Sequence, residues 1–384
     1  MRIADRVANL PPYIFARVEK RIAAQRAKGV DVISLGIGSP DLAPPKFIVD
    51  ALYESALRTD THGYAGYYGT PELRKAMATY YRNRFGVDLD PETEIRPLIG
   101  SKEGLANMAL AFVDGSDLAL SSDPGYPTYR MGALMAGGGY FSMPLRAEND
   151  FLVDLEEIPE DVAARSTIMW LNYPNNPTGA VAPKAFLARA IAFAKEYRIL
   201  ICYDNPYCDI TFDGYVAPSI LEIPGAMDVA VEFNSLSKTY NMAGWRIGMV
   251  VGNAEAIQAL TTIKTNIDSG IFRPIQDAAV VALTSDQGWI AERNLIYQHR
   301  RDIILGWLPR IGMSAQPPKG SLYVWARVPE GVKCDEFATR MLEEAGVWMT
   351  PGTAFGEHGE GYMRLSVCVP EKRLREAGER LSSV

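Results

Sequence analysis

The chain has 384 residues, which is enough for two or three domains with a substantial hydrophobic core. Its net charge of -7 and its scattered lysines and arginines argue against a nucleic-acid binder and leave small metabolites as the expected ligands. The four cysteines lack the spacing of a disulfide framework or a zinc site, and the three histidines lie far apart, so we expect no metal.

The N-terminal segment predicts neither a signal peptide nor a membrane anchor. It lacks an uninterrupted apolar core, and no run in the chain approaches the ~18 apolar residues of a membrane span. Residues 16–29 contain helix formers and end at Gly29, which predicts a short amphipathic helix rather than a targeting segment. We therefore expect a cytoplasmic protein without a membrane partner.

Short apolar runs alternate with helical stretches from about Asp117 to Val251. Between two of these runs, PKAFLARAIAFAKEYR carries Leu187, Ala190 and Ile191 at helical spacing and predicts a crossover helix. Such alternation is typical of an α/β protein with a parallel sheet that helices cover. The candidate strands are DLALSSDPGYP, STIMWLNYP, ILICYD, VAVEFNSLS and IGMVVGN.

The two ends of the chain differ from this middle region. They contain a Pro-rich turn, the long helical stretch ERNLIYQHRRDIILGWL and the candidate strands SLYVWARV and YMRLSVCV. We predict a large domain from residues 46–290 and a smaller domain built from residues 1–45 and 291–384, with the functional site in the cleft between them.

Polar segments follow four of the candidate strands, at residues 123–126, 172–179, 204–207 and 235–238. Ligands of open α/β sheets bind just beyond the carboxyl ends of the strands. The four segments are therefore predicted to meet in one pocket.

Lys238 is the candidate reactive group of that pocket. Most lysines are solvated surface residues. Lys238, however, follows an apolar strand and precedes TYNMAGWRIG, which places it near the interior, where an unpaired ammonium is costly. A lysine that forms an imine with an aldehyde cofactor avoids that cost and becomes reactive.

A phosphate group on such a cofactor would explain the neighbouring residues. Ser235 and Ser237 can donate hydroxyls, and Arg246 can offer a bidentate fork. The segment GSKEGLANMALAF, from Gly100, predicts a helix N-terminus that favours an anion. Taken alone, Arg246 fits an ordinary structural ion pair better.

An aldehyde cofactor with a pyridine ring needs a carboxylate that keeps the ring nitrogen protonated. Asp204 ends the apolar run ILICYD and is the candidate. Tyr207 and Asn176 could bond the ring hydroxyl, and Tyr126 could stack on the ring. Individually, Asp204 and Asn176 also suit turns and Tyr126 suits core packing, but the three alternatives are less convincing together.

The ordered segments NYPNNPTG, YDNPY and SLSKTYNMAGWRIG resemble those of the fold-type I pyridoxal-phosphate aminotransferases of class I/II, and the resemblance covers nearly the whole chain. It implies an α/β PLP-dependent transferase fold, with a mostly parallel sheet in the large domain and a smaller α+β domain. It also implies pyridoxal 5'-phosphate as the cofactor and a ping-pong transfer of an amino group between an L-amino acid and a 2-oxo acid.

The resemblance also assigns roles to individual residues. It implies Lys238 as the Schiff-base and proton-transfer lysine, and Asp204 at the pyridine nitrogen. The ring contacts would come from Asn176, Tyr207 and the stacking Tyr126. The implied phosphate ligands are Ser101, Lys102 through its backbone, Ser235, Ser237 and Arg246.

Two further roles follow from the same resemblance. Family members are homodimers in which a tyrosine reaches the neighbour's phosphate, and Tyr64 in GYAGYYGTPELRKA matches that position. YMRLSVCV matches the strand whose arginine binds the substrate α-carboxylate, which makes Arg364 the candidate.

The finer motifs resemble those of the LL-diaminopimelate aminotransferases and their aspartate or alanine transaminase relatives. In that group the residues that approach the substrate would include Tyr13, Gly38, Lys102, Asn176 and Asn266. No residue clearly matches the distal-carboxylate arginine of typical aspartate enzymes, although Arg273 lies near the right segment. We therefore expect an LL-diaminopimelate:2-oxoglutarate aminotransferase, with an aspartate/alanine-type or broad-specificity enzyme as the alternative.

Three other classes fit parts of the sequence. Ser235 and Lys238 satisfy the S-x-x-K pattern of acyl-serine hydrolases, but the companion S-D-N and K-T-G motifs are absent. The segment GIGSPD begins like a dinucleotide-binding loop, but Asp41 occupies its sixth position. β-Lyases and catalytically silent regulatory domains share the PLP scaffold and stay open as alternatives.

Overall fold

The computed structural model of the protein describes residues 1–8, 10–11 and 14–384. Within these residues the helices are α1 (Asp5–Ala8), α2 (Ile14–Ala27), α3 (Lys46–Ala56), α4 (Pro71–Phe85), α5 (Ser101–Phe112), α6 (Thr128–Ala136), α7 (Glu160–Arg165), α8 (Lys184–Tyr197), α9 (Leu236–Thr239), α10 (Ala254–Thr265), α11 (Arg273–Thr284), α12 (Trp289–Trp307), α13 (Cys334–Glu344) and α14 (Glu371–Leu381). The strands are β1 (Ile33–Ser34), β2 (Ile95–Leu98), β3 (Leu118–Asp123), β4 (Gly139–Pro144), β5 (Ser166–Leu171), β6 (Leu200–Asp204), β7 (Ala230–Ser235), β8 (Gly248–Gly252), β9 (Tyr323–Arg327), β10 (Val347–Trp348), β11 (Thr350–Pro351) and β12 (Tyr362–Ser366).

The central sheet has the strand order β2-β8-β7-β6-β5-β3-β4. Its neighbours from β7 to β4 are parallel, whereas β8 runs antiparallel to both β7 and β2. The five predicted strands correspond to β3, β5, β6, β7 and β8, and the mostly parallel α/β sheet is confirmed. The reversal at β8 has a simple cause: the connection over residues 236–247 contains only the single α-helical turn α9, which cannot carry the chain back across the sheet.

The edge strands β2 and β4 were not among the predicted strands. β2 has only four residues, including Pro97, and β4 is half-buried, so neither shows a continuous apolar run.

Helices bury both faces of the central sheet. The predicted crossover helix is α8, and its Leu187, Ala190 and Ile191 are buried in a core with Met169 of the sheet. On the opposite face, α5 packs Leu105 into a second cluster. The helical spacing read from the sequence therefore places α8 against the sheet as predicted.

A separate core surrounds the antiparallel sheet β11-β12-β9 and the parallel pair β1-β10. It gathers residues from both ends of the chain, among them Ile22, Leu35, Trp348 and Leu374. The exact domain boundaries stay a prediction. None of the described helices combines the length and the apolar character that a membrane crossing requires.

Candidate active site

A cavity of ≈ 410 Å³ lies at the carboxyl edge of β3, β5, β6 and β7. The structure brings side chains from all four predicted polar segments to its wall: Tyr126, Asn172, Asn176, Asp204, Tyr207, Ser235, Ser237 and Lys238. The wall is completed by further predicted residues: Gly38, Ser101, Lys102, Arg246 and Arg364.

Lys238 is carried by the short helix α9 directly after β7. Ser235 begins this turn, because its hydroxyl accepts a hydrogen bond from the Ser237 amide at 3.2 Å. The half-buried ammonium of Lys238 donates to the Gly38 carbonyl at 2.6 Å. The amine therefore points into the cavity wall rather than into solvent.

Asp204 is the buried carboxylate at the end of β6. Tyr129 donates its hydroxyl to Oδ2 of Asp204 at 2.7 Å, whereas Oδ1 has no partner. Burial raises the pKa of Asp204 to about 7, against the opposing effects of the Tyr129 hydrogen bond and the Lys238 charge. A buried acceptor without a donor is costly, so this site suits a ligand that offers an N–H group.

The N-terminus of α5 faces the Arg246 guanidinium. Helix α5 begins after Gly100, which has a φ of 72°, and a Cβ there would lie 2.1 Å from Nη2 of Arg246. Arg246 donates to the Ala243 carbonyl at 2.8 Å and makes no ion pair among the described residues. This contradicts the alternative of an ordinary ion pair, and it places a cation beside the N-terminus of α5, which together favour an anion.

Arg364 is a buried arginine of β12. It donates to Oδ1 of Asn176 at 2.8 Å and to the Gly36 carbonyl at 2.6 Å. Its guanidinium lies between the rings of Tyr323 and Phe355, at 4.1 Å and 4.6 Å. These contacts hold the planar group at the cavity wall, in an orientation suited to a planar carboxylate.

Tyr207 and Gly38 both contact Tyr323. The two tyrosine hydroxyls lie 3.2 Å apart, and their rings meet edge to face at 5.8 Å. A Cβ on Gly38 would lie 1.9 Å from the Tyr323 hydroxyl, so only glycine allows this approach.

Comparison with known proteins decides the family. The family model of Aminotransferase class I and II matches residues 30–381. The chain belongs to the class I and II aminotransferases. This aminotransferase acts on amino acids and 2-oxo acids and depends on pyridoxal 5'-phosphate.

Several relatives match the aminotransferase over its whole length. It is 49% identical to the LL-diaminopimelate aminotransferase of Moorella thermoacetica, covering 100% of this chain and 98% of that protein. It is 50% identical to the LL-diaminopimelate aminotransferase of Dehalococcoides mccartyi, covering 100% and 99%. Substrate-bound BacF from Bacillus subtilis has a similar structure, with a TM-score of 0.95, 38% identity and coverage of 100% and 98%.

The residues of the aminotransferase fit the cofactor. Oδ1 of Asp204 lacks a donor that a protonated ring nitrogen would supply. The start of α5 and Arg246 offer positive charge for a phosphate. Lys238 lines the same cavity with its amine. Each part of the cofactor therefore has a chemically matched partner on this wall.

Some predicted residues do not reach the cavity. Tyr64 is 94% exposed, and Asn266 is exposed and donates to the Thr262 carbonyl at 2.8 Å. Arg273 pairs with Asp277 at 2.6 Å within its own helix and does not line the cavity. Tyr13 lies outside the described residues.

Three contributors to the site were given no role from the sequence. Tyr129 bonds Asp204, Tyr323 contacts both Tyr207 and Arg364, and Asn172 donates to the Asp204 carbonyl at 2.6 Å. Tyr129 follows Tyr126 by three residues, and this spacing was a weak indication that both tyrosines face the same site. Nothing in the sequence indicated a role for Tyr323, because its strand lies far along the chain from the other site residues.

Proposed function

We propose that this aminotransferase transfers the amino group of LL-diaminopimelate to 2-oxoglutarate. The support from relatives is the name shared by full-length matches at about half identity. The observation that carries the substrate choice is that one basic and one acidic side chain, Lys102 and Glu19, line the cavity that contains Arg364. Among the described lining residues, Glu19 is the only carboxylate besides Asp204.

These two opposite charges match the distal end of LL-diaminopimelate, which carries both a carboxylate and an ammonium. Arg364 would bind the reacting α-carboxylate, Lys102 the distal carboxylate, and Glu19 the distal ammonium. Aspartate, alanine and glutamate have no distal ammonium. The two charges therefore favour LL-diaminopimelate as the substrate over the aspartate/alanine-type alternative.

The bound cofactor supplies an aldehyde that links to amines and a ring that withdraws electrons from the α-carbon. Lys238 would hold the cofactor and move the proton of the substrate α-carbon. Asp204 would hold the proton on the ring nitrogen, and Tyr207 and Asn176 would bond the ring hydroxyl. Tyr126 would stack on the ring, while Ser101, the backbone of Lys102, Ser235, Ser237 and Arg246 would bind the phosphate.

A panel of amino donors tests the substrate. Purified enzyme with 2-oxoglutarate should react fastest with LL-diaminopimelate, and Lys238→Ala should abolish the reaction with every donor. If LL-diaminopimelate fails while aspartate or alanine reacts, the substrate proposal is wrong but the aminotransferase chemistry stands. If Lys238→Ala leaves turnover intact, the role of Lys238 is wrong.

Glu19→Gln tests the distal ammonium contact. We expect kcat/KM for LL-diaminopimelate to fall roughly 10-fold to 100-fold, the usual range for one charge-assisted hydrogen bond. The matched control is L-2-aminopimelate, which has the same length and distal carboxylate but no distal ammonium. Its kcat/KM should be unchanged by the substitution, and an equal loss for both substrates would contradict the contact.

We also propose a homodimer with shared active sites. Tyr64, Ile267 and Phe272 are all exposed, and the ring of Phe272 lies 5.9 Å from the ring of His62, two residues before Tyr64. The two loops that carry them touch, since a Cβ on Gly270 would lie 2.1 Å from the Gly66 carbonyl oxygen. An exposed apolar surface of this kind suits a second copy of the chain. The cytoplasmic location stays a prediction.

Subunit mixing tests the shared site. Lys238→Ala and Tyr64→Ala should each be nearly inactive alone. Co-expressed at equal levels, they should recover roughly a quarter of the wild-type activity, because half of the dimers then contain one intact site. Heterodimers that form without any recovery would exclude a contribution of Tyr64 to the partner's site.

A further inference from the structure

Arg293 is a buried arginine that the functions described so far do not use. It lies near the start of α12 and is 3% exposed. It forms no ion pair among the described residues, and its donors reach main-chain carbonyls and the side chain of Asn294. Burial lowers its pKa. Burial of a cation without a carboxylate partner costs free energy, so a function of Arg293 would have to offset that cost.

Those contacts fix the turn that carries Lys238. Nη1 of Arg293 donates to the Lys238 carbonyl at 3.1 Å and also to the Thr239 carbonyl. These carbonyls end the short helix α9, and the last carbonyls of a helix have no partner within it. A cation at this position satisfies both carbonyls and complements the negative end of the helix.

The second arm of Arg293 reaches the loop after Tyr207. Nη2 donates to the Asp209 carbonyl at 2.7 Å, and the rings of Trp289 and Tyr297 flank the guanidinium at 5.5 Å and 6.0 Å. One rigid group therefore ties the lysine turn to the segment that follows Asp204 and Tyr207.

We propose that Arg293 is a positioning residue that sets the place and direction of the Lys238 amine relative to Asp204 and Tyr207. The planar fork serves three carbonyls at fixed angles, which a lysine cannot do. Displacement of a reacting group by about 1 Å can cost roughly 100-fold in rate. The inference rests on the proposed role of Lys238.

The test compares Arg293→Lys and Arg293→Met with the control Arg301→Lys. Arg301 is equally buried on the same helix, but it pairs with Asp213 at 2.5 Å and does not contact the lysine turn. The measurements are the single-turnover absorbance change of the bound cofactor at rising donor concentration, the resting absorbance spectrum of the bound cofactor, and the melting temperature.

We expect Arg293→Lys to lower the limiting single-turnover rate at least about tenfold, with half-saturation changed less than about twofold. Arg293→Met removes all three carbonyl contacts, so it should lower the limiting rate at least as much and should also change the resting absorbance spectrum of the bound cofactor. Arg301→Lys should lower the melting temperature but leave the limiting rate and the resting absorbance spectrum unchanged.

The proposal is overturned if Arg293→Lys keeps the wild-type limiting rate, or if Arg301→Lys slows the reaction equally. Should Arg293→Met fail to fold, the charge-retaining Arg293→Lys decides. A wild-type enzyme that reacts with no donor overturns the proposed function as well, whereas an active wild type with an unaffected Arg293→Lys overturns only this inference.

Discussion

Arg364, the proposed ligand of the substrate α-carboxylate, is held by several neighbouring groups. Two aromatic rings fix its plane, and two acceptors, Asn176 and the Gly36 carbonyl, fix its rotation. The side chain thus loses little further conformational freedom when a carboxylate binds. A lysine at this position could not make the same contacts, because its flexible side chain carries no planar group.

Arg364→Lys should raise KM for every amino donor roughly 10-fold to 100-fold, because a lysine cannot form the bidentate pair with the α-carboxylate. Cofactor affinity should stay at the wild-type level, since Arg364 is not among the proposed phosphate ligands. Steady-state kinetics and cofactor titration measure the two quantities. A loss of cofactor affinity with an unchanged KM would contradict the assignment.

At the scale of an element, the start of α5 combines backbone shape with charge. Gly100 adopts a left-handed conformation, and its missing Cβ leaves room for the Arg246 guanidinium. The helix N-terminus and the guanidinium can therefore act on the same anion. Glycine is needed at position 100 for two reasons: the backbone turns there in a left-handed conformation, and the Arg246 side chain occupies the space of a Cβ.

Gly100→Ala should weaken cofactor affinity at least about tenfold, because the new Cβ would clash with the Arg246 guanidinium and displace it from the proposed phosphate site. The matched control is Gly86→Ala at the end of α4, where φ is 69° and a Cβ would meet nothing within 4 Å. Both substitutions should lower the melting temperature through backbone strain, but only Gly100→Ala should alter cofactor titration. Equal affinity losses in the two variants would refute the steric argument.

At the scale of the whole molecule, the buried Asp204 links folding stability to pH. Its pKa is raised from 3.8 to about 7, mainly by burial. Between about pH 4 and pH 7 the folded state therefore keeps a proton that the unfolded chain releases, so this group's contribution to stability falls as pH rises and levels off above 7.

Asp204→Asn removes that titration. In the cofactor-free protein, the free energy of unfolding of the variant relative to wild type should rise between pH 5 and pH 7, by at most about 1.4 kcal/mol per pH unit. Urea unfolding at pH 5, 7 and 8 measures the difference. A difference between variant and wild type that is the same at all three pH values would show that Asp204 titrates normally.

The sequence by itself determined the α/β class, the positions of β3 and β5 to β8, and the residues that end those strands. This was possible because apolar runs and strand-end polar residues are local signals, and parallel strands bring their carboxyl ends to one edge of a sheet. The order of the central sheet and the reversal at β8 depended instead on how long each connection is.

Only the tertiary structure decided which distant groups support those residues. Tyr129 bonds Asp204 across 75 residues of sequence, and Arg293 bonds the Lys238 carbonyl across 55. Tyr323 contacts Gly38 only because a strand from the far end of the chain packs over the cavity. Such contacts arise from packing between elements, and no local pattern encodes which surfaces will meet.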